Sequence, residues 1–292
     1  MLADDRPSRT AQGIAAARAR ESARPEGERL FYDPFAWHFL SRRLRFLVAI
    51  PPVRNFLRRR NARLLPGMFG GLVARTRYMD DHLLTCLENG VKQVVILGAG
   101  YDARAYRFRE QSRSARYFEV DRSATQALKK ATLERLLGAL PDHVTYVPVR
   151  FHRERLEDKL LQAGYRPDWR TLFIWEGVTM YLEASAVDAT LGFVSGHAPP
   201  ESSVIFDYFP PSVMEGTCEF PEARALVRHV RRCKEEIRWG ARPEEVSDLL
   251  TRHGFHRIRD VPAEECRRRY FRENYTDLPI SRLLRFVDAE VA

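Results

Sequence analysis

The chain has almost no lysine. Of its 48 basic residues only Lys92, Lys129, Lys130, Lys159 and Lys234 are lysine, so the formal charge of +9 is an arginine charge. Cysteine pairs are also absent. Cys86, Cys218, Cys233 and Cys266 stand far apart and make no CxxC. That spacing argues against a disulfide or zinc framework and reads as thiols in a reducing cytoplasm. No apolar run approaches the roughly 18 residues of a membrane span. The stretch Phe46 to Pro52 is short and lies among arginines. Met1 to Arg9 has acids and no apolar segment, unlike a signal peptide. The expectation is a cytoplasmic protein with no membrane span.

Two function classes lose support in the same way. Arginines cluster at Arg42-Arg43-Arg45, Arg58-Arg59-Arg60, Arg231-Arg232 and Arg267-Arg268-Arg269. They are scattered, and no nucleic-acid-binding motif accompanies them, so they read as a solvated face and no nucleic-acid partner is expected. No Ser/His/Asp or metal-ligand spacing is visible either: His82, His143, His152, His197 and His256 stand alone in the sequence. What remains is a chain of 292 residues, 45% hydrophobic, long enough for one large α/β domain.

That domain is organised around Gln93-Val-Val-Ile-Leu-Gly-Ala-Gly-Tyr-Asp-Ala-Arg104. Val94 to Leu97 suit a parallel strand buried on both faces. Gly98 and Gly100 then let the backbone turn sharply and let a ligand lie against bare main chain. A second strand, Arg116 to Val120, ends at Asp121. A glycine turn after one strand and an acid roughly 20 residues on is the layout that holds a nucleoside, with the acid on the ribose hydroxyls. Gly98-x-Gly100-x-x-Ala103 fits the dinucleotide fingerprint, but a pyrophosphate wants positive potential and Asp102 lies inside the loop. S-adenosylmethionine carries adenosine, no phosphate, and cationic ammonium and sulfonium groups. Asp102, and acids at later strand ends, suit that cation.

The remainder alternates. Further strands are expected at Val144 to Val149, Thr171 to Trp175 and Ser203 to Phe206, with helices at Ser123 to Leu137 (Ser123 as cap), Leu156 to Ala163 and Ala184 to Ser195. Glu176 and Asp207 follow two of these strands. This rhythm argues for a doubly wound, mostly parallel Rossmann-like sheet with helices on both faces. Ligands in such sheets sit at the carboxyl ends of the strands. Residues 1–90 read as an N-terminal helical cap, with helices at Ile14 to Glu21, from Asp33-Pro34, at Val53 to Leu65 and at Met68 to Leu87. Residues 91–292 read as the α/β domain, with a lid-like insertion at 209–240, all in one compact unit. A sixth strand is expected at Phe255 to Val261 and a seventh at Arg269 to Tyr275. Arg75 and Arg77, two apart on the helix feeding the first strand, point to different sides. One can reach a ligand carboxylate while the other pairs with Asp80 or Asp81.

Ala74-Arg-Thr-Arg, Val95-Ile-Leu-Gly-Ala-Gly-Tyr-Asp-Ala-Arg, Phe118-Glu-Val-Asp and Trp175-Glu-Gly-Val-Thr-Met-Tyr-Leu182 occur in order at fitting spacing. Together they resemble the leucine carboxyl methyltransferase family, particularly its bacterial branch of S-adenosylmethionine-dependent O-methyltransferases linked to secondary metabolism. The resemblance implies a seven-stranded class I methyltransferase fold and S-adenosylmethionine as cofactor. It implies that Arg75 binds the methionine carboxylate, that Gly98 and Gly100 form the donor loop, that Asp121 binds the ribose hydroxyls and that Glu176 lies near the donor's amino acid part. Where the family usually has an acid-apolar pair at the adenine, this sequence has Arg150-Phe151. Arginine cannot accept from the exocyclic amine, though Phe151 can pack on the ring.

The expected reaction is in-line methyl transfer to a carboxylate or hydroxyl of a small-molecule acceptor, with Tyr181 and Tyr208 as the candidate catalytic residues, Asp207 near them, and no metal. The alternatives are a degenerate, non-catalytic member of the fold, which Arg150 favours, and an NAD(P)-dependent oxidoreductase.

Overall fold

The computed structural model describes residues 8–150, 154–272, 275 and 278–292. Seven strands form one sheet in the order β3-β2-β1-β4-β5-β7-β6. They are β1 (Gln93–Leu97), β2 (Arg116–Asp121), β3 (Val144–Pro148), β4 (Thr171–Trp175), β5 (Ser203–Tyr208), β6 (Phe255–Pro262) and β7 (Arg285–Val291). The first five run parallel, and β7 inserts antiparallel between β5 and β6. β1 pairs β2 on one side and β4 on the other, so strand order reverses there and a crevice opens at the carboxyl ends.

Every residue of β1 is buried. Val94 and Ile96 join one core, with Met79 and Leu83, while Val95 and Leu97 join the other, with Phe118 and Phe173. A strand covered on both faces has no polar face to display, which is why Gln93 to Leu97 reads as a nearly continuous apolar run. Leu97 lies opposite Val120 and Ile96 opposite Ile174. This register brings Gly98, Asp121 and Glu176 to the same end of the sheet.

The N-terminal layer consists of α1 (Arg9–Ser22), a short 3-10 turn (Ala36–Phe39), α2 (Arg42–Ala49), α3 (Pro51–Leu64) and α4 (Met68–Glu88). Asp33 caps the turn by accepting from the Phe35 and Ala36 amides, so Phe39 and Leu40 point inward. The core helices are α5 (Arg104–Arg107), α6 (Ser123–Leu137), α7 (Leu156–Gln162) and α8 (Ala184–Gly196). Ser123 is the first helical residue, not the cap: Arg122 takes the cap position, without a side-chain cap bond. After β5 come α9 (Pro211–Glu215), α10 (Pro221–Arg232) and α11 (Pro243–Arg252).

The seventh strand is not where the sequence pattern put it. Residues 269–270 belong to α12 (Ala263–Tyr270), and the strand is Arg285–Val291. Glu264 and Glu265 in the first turn of α12 and Arg267, Arg268 and Arg269 in the last match the helix dipole at both ends. The true strand carries Asp288 at its middle, which interrupts the apolar pattern. Asp288 is tolerated there because His82 and Arg259 pair with it.

Candidate active site

A cavity of about 1140 Å³ opens at the carboxyl ends of β1, β2 and β4. Its floor is the turn after β1. Gly98 and Gly100 have φ of +68° and +46°, a region that side-chain-bearing residues rarely adopt. A Cβ on Gly98 would also come within 2.4 Å of Val178 Cγ2. Asp121 stabilises the turn: its carboxylate accepts from the Gly100 and Arg122 amides. Burial pushes the Asp121 carboxyl up from its ordinary value, against those two amide bonds. The acid expected on the ribose thus also holds the glycine turn.

Glu176, one residue beyond β4, lines the opposite wall. Its carboxylate accepts from Arg75 Nε at 3.1 Å and from Arg104 Nη1 at 2.6 Å. Burial alone would raise its pKa, but Arg104 and Arg75 outweigh that and hold it well below the usual carboxylate range. Glu176 is therefore held ionised at the cavity wall, with its charge shared by the two guanidiniums behind it.

Arg75 is buried, and its fork is taken: Nη1 pairs with Asp207 at 2.6 Å and Nη2 lies 3.0 Å from Glu176. Gly177, at φ +69°, lets the chain cross close over it, since a Cβ there would stand 3.2 Å from Arg75 Nη1. Arg75 is thus not an open fork at the cavity wall. Arg77 pairs with Asp81 at 2.9 Å, so the two arginines do diverge. Asp102 lines the cavity but is neutralised from behind, bonding the Arg104 amide and guanidinium. Arg104 also pairs with Asp80 at 2.8 Å. Asp102 is therefore neither a free counter-ion for a cation nor a free repellent for a phosphate.

Of the two tyrosines, Tyr181 lines the cavity and Tyr208 does not. Tyr208 is fully buried and its hydroxyl donates to Asp260. The reason is alternation: Asp207 faces the Arg75 side of the sheet, so its neighbour on β5 faces the other core, against Trp239. Burial, with Glu235 nearby, pushes the Tyr181 phenol well up, so it is a neutral donor at neutral pH. Arg150 lies at the cavity mouth, largely exposed and paired with Glu154 at 3.4 Å. Phe151 lies outside the described residues.

The cavity has a second wall that the sequence pattern did not reveal. Ser8, Thr10, Ala11, Ile14 and Arg18, at and near the start of α1, lie along it. Arg18 donates to the Tyr101 carbonyl in the glycine turn and to Asp33 at 2.9 Å. Arg231, Lys234, Glu235, Glu236 and Arg238, between β5 and α11, close the far side. Thr10 donates to Glu235 across the opening. Arg18, Thr10 and Glu235 sit in ordinary helical and charged stretches, and no local signal marks them. Arg104 did have a signal, as the last residue of the glycine motif.

The family model of the leucine carboxyl methyltransferases matches residues 11–195. The chain belongs to the leucine carboxyl methyltransferase family. A candidate S-adenosylmethionine-dependent methyltransferase of Frankia alni is 33% identical over 268 residues, 89% of this chain and 88% of that protein. Another, from Bacillus subtilis, is 38% identical over 136 residues, 47% of this chain and 44% of its own length. The fold agrees with solved structures. A DUF574 family protein from Streptomyces avermitilis superposes with a TM-score of 0.61 over 99% of both chains at 12% identity. A candidate methyltransferase from Thermobifida fusca gives 0.59 over 83% of this chain and 90% of its own, at 16% identity. The family's motifs map onto the cavity: the glycine turn, Asp121 and Glu176 all face it.

Proposed function

We propose that this chain transfers the methyl group of S-adenosylmethionine to an oxygen, a carboxylate or a hydroxyl, of a small acceptor of the secondary-metabolite type. One observation carries the reading. Asp121 and Glu176 face one cavity from either side of a glycine turn that only bare main chain can occupy. The residues fit the group: Gly98 and Gly100 leave room for a nucleoside, Asp121 offers a carboxylate on the cavity wall that could meet ribose hydroxyls, and Glu176 is held ionised where it could meet an ammonium.

When bound, S-adenosylmethionine supplies an electrophilic methyl on a sulfonium. The protein's part is orientation. Glu176 accepts from the amino group, kept in place by Arg104 and, from beneath, by Arg75. In this reading Arg75 acts through Glu176 unless it exchanges that partner for the donor carboxylate. Tyr181, a neutral phenol on the cavity wall, donates to the acceptor and orients its oxygen. A carboxylate acceptor needs no general base. Arg231 and Lys234 on the far wall supply positive potential for an acidic acceptor, while Arg238 is held by Glu183 and Glu236.

Arg150 lines the cavity mouth, largely exposed and paired with Glu154, so it leaves the cavity open to a donor. An NAD(P) pyrophosphate on this turn would meet Asp121 and Glu176 and, among the described residues, no unpaired cation in the glycine turn itself. The test is incorporation of label from methyl-labelled S-adenosylmethionine across a panel of carboxylic and hydroxylic acceptors. Alkali-labile label identifies esters, and mass-spectrometric fragmentation of the alkali-stable products separates ethers from N- and C-methyl groups. Donor binding without transfer to any oxygen or with transfer only to nitrogen or carbon defeats the oxygen assignment.

A further inference from the structure

Between Asp33 and Asp80 the chain has no acidic residue. Inside that interval, α2 and α3 form a helical hairpin carrying Arg42, Arg43, Arg45, Arg54, Arg58, Arg59, Arg60 and Arg63. Neither helix buries a residue. A surface helix of a globular domain ordinarily buries one apolar stripe. Here the two helices pack chiefly on each other, with Leu44, Val48, Val53 and Leu57 half-buried. The apolar side chains left over face solvent: Phe46 is 71% exposed and Phe56 64%, with Leu47 and Ile50 beside the Pro51-Pro52 bend also open. None of the eight arginines has an ion-pair partner among the described residues.

We propose that this hairpin docks the protein on an anionic lipid surface, with Phe46, Leu47, Ile50 and Phe56 entering the headgroup region and the arginines meeting the phosphates. The combination decides the partner. A polyanion such as a nucleic acid needs the arginines but gives no reason for open phenylalanines and aliphatics at the bend. A second copy of the hairpin would bring eight unpaired arginines against eight more. A basic helix pair with aromatic and aliphatic side chains exposed is the composition of an element that lies in a membrane interface. The hairpin also comes near α1, although none of its own described residues lines the cavity. Arg58 is near enough to Arg20 of α1 to add to the effect of burial, which together lower that guanidinium to about 10. α1 is the helix that walls the cavity, so docking would set the cavity beside the bilayer. The inference does not depend on methyl transfer.

The experiment is co-sedimentation of the full chain with phosphatidylcholine vesicles, with and without phosphatidylglycerol. The protein should bind the anionic vesicles at least about 10-fold better, weaken with added salt, and lose about 10-fold in affinity in both Phe46→Ser/Phe56→Ser and Arg58→Gln/Arg59→Gln/Arg60→Gln. Melting curves check that the variants fold; should the phenylalanine pair melt early, Leu47→Asp at the bend replaces it. Equal binding to both vesicles overturns the proposal. So does full retention of anionic binding in the phenylalanine and Leu47 variants, which would mark a simple polyanion site, as duplex DNA competition would then show. A soluble acidic protein that binds the hairpin while vesicles do not overturns it equally.

Discussion

Glu176 and Arg104 are bonded at 2.6 Å with both side chains almost wholly buried. Arg104 simultaneously holds Asp80 and Asp102, so one guanidinium ties α4, the glycine turn and the end of β4 together. Replacing Arg104 with Met should leave three buried carboxylates short of a partner. The expected loss is about 3–5 kcal/mol of unfolding free energy, read from urea denaturation. A loss within experimental error of zero would show that the cluster rearranges at no cost.

Asp121 is bonded to the Gly100 and Arg122 amides. Asp121→Ala should weaken S-adenosylmethionine binding by about 1–3 kcal/mol, the scale for a lost charged hydrogen-bond partner. Calorimetric titration of the variant checks it. An unchanged dissociation constant removes Asp121 from the ribose.

Gly98→Ala brings two penalties that can be separated. The Cβ meets Val178 Cγ2 at 2.4 Å, and φ of +68° strains any side chain. Val178→Ala should therefore rescue the variant only in part, leaving a residual loss of roughly 1 kcal/mol from the backbone. Complete rescue in thermal melting would mean that the steric contact was the whole effect.

Tyr181 and Tyr208 should behave oppositely when changed to phenylalanine. Tyr208→Phe removes the bond to buried-side Asp260 and should cost about 1 kcal/mol of stability with donor affinity and turnover intact. Tyr181→Phe should lower turnover and leave stability nearly unchanged. Turnover lost in the Tyr208 variant alone would reverse the assignment.

His82 makes stability depend on pH. Its Nε2 lies 2.9 Å from Ser203 Oγ and its Nδ1 3.2 Å from Asp288. Burial alone would lower its pKa, but hydrogen bonds to Asp288 and Cys86 raise it to about 9. Arg259, also on Asp288, is the other charge facing this group. Because the folded value is the higher one, the contribution is complete below about pH 6.5 and disappears as pH rises through 9, amounting to about 3 kcal/mol. Wild type should lose more melting temperature between pH 6.5 and 10 than His82→Gln does. Parallel curves for the two proteins would dispose of this linkage.

Much of the fold is legible in the sequence because local signals agree with the tertiary ones. β1 is an apolar run, several helices carry Pro or Gly at their ends, and Asp121, Glu176 and Asp207 fall at or beside the carboxyl ends of their strands. Legibility fails where a long-range partner excuses a local violation. Asp288 in β7 is excused by His82 and Arg259, so the local pattern points to Arg269 to Tyr275 and not to the true strand. In the site, Gly98, Gly100, Asp121 and Glu176 are readable because their spacing follows from the strands beside them. Arg75's engagement with Glu176 and Asp207, and the wall made by Arg18, Thr10 and Glu235, come from residues distant in sequence and carry no local mark.

The most direct measurement is calorimetric titration of the purified protein with S-adenosylmethionine and S-adenosylhomocysteine, in parallel with Glu176→Gln. The account predicts that wild type binds both, and that the variant binds both more weakly by about 1–3 kcal/mol, since the amino group recognised by Glu176 is common to them. Failure of wild type to bind either ligand, or equal binding by the variant, would contradict it.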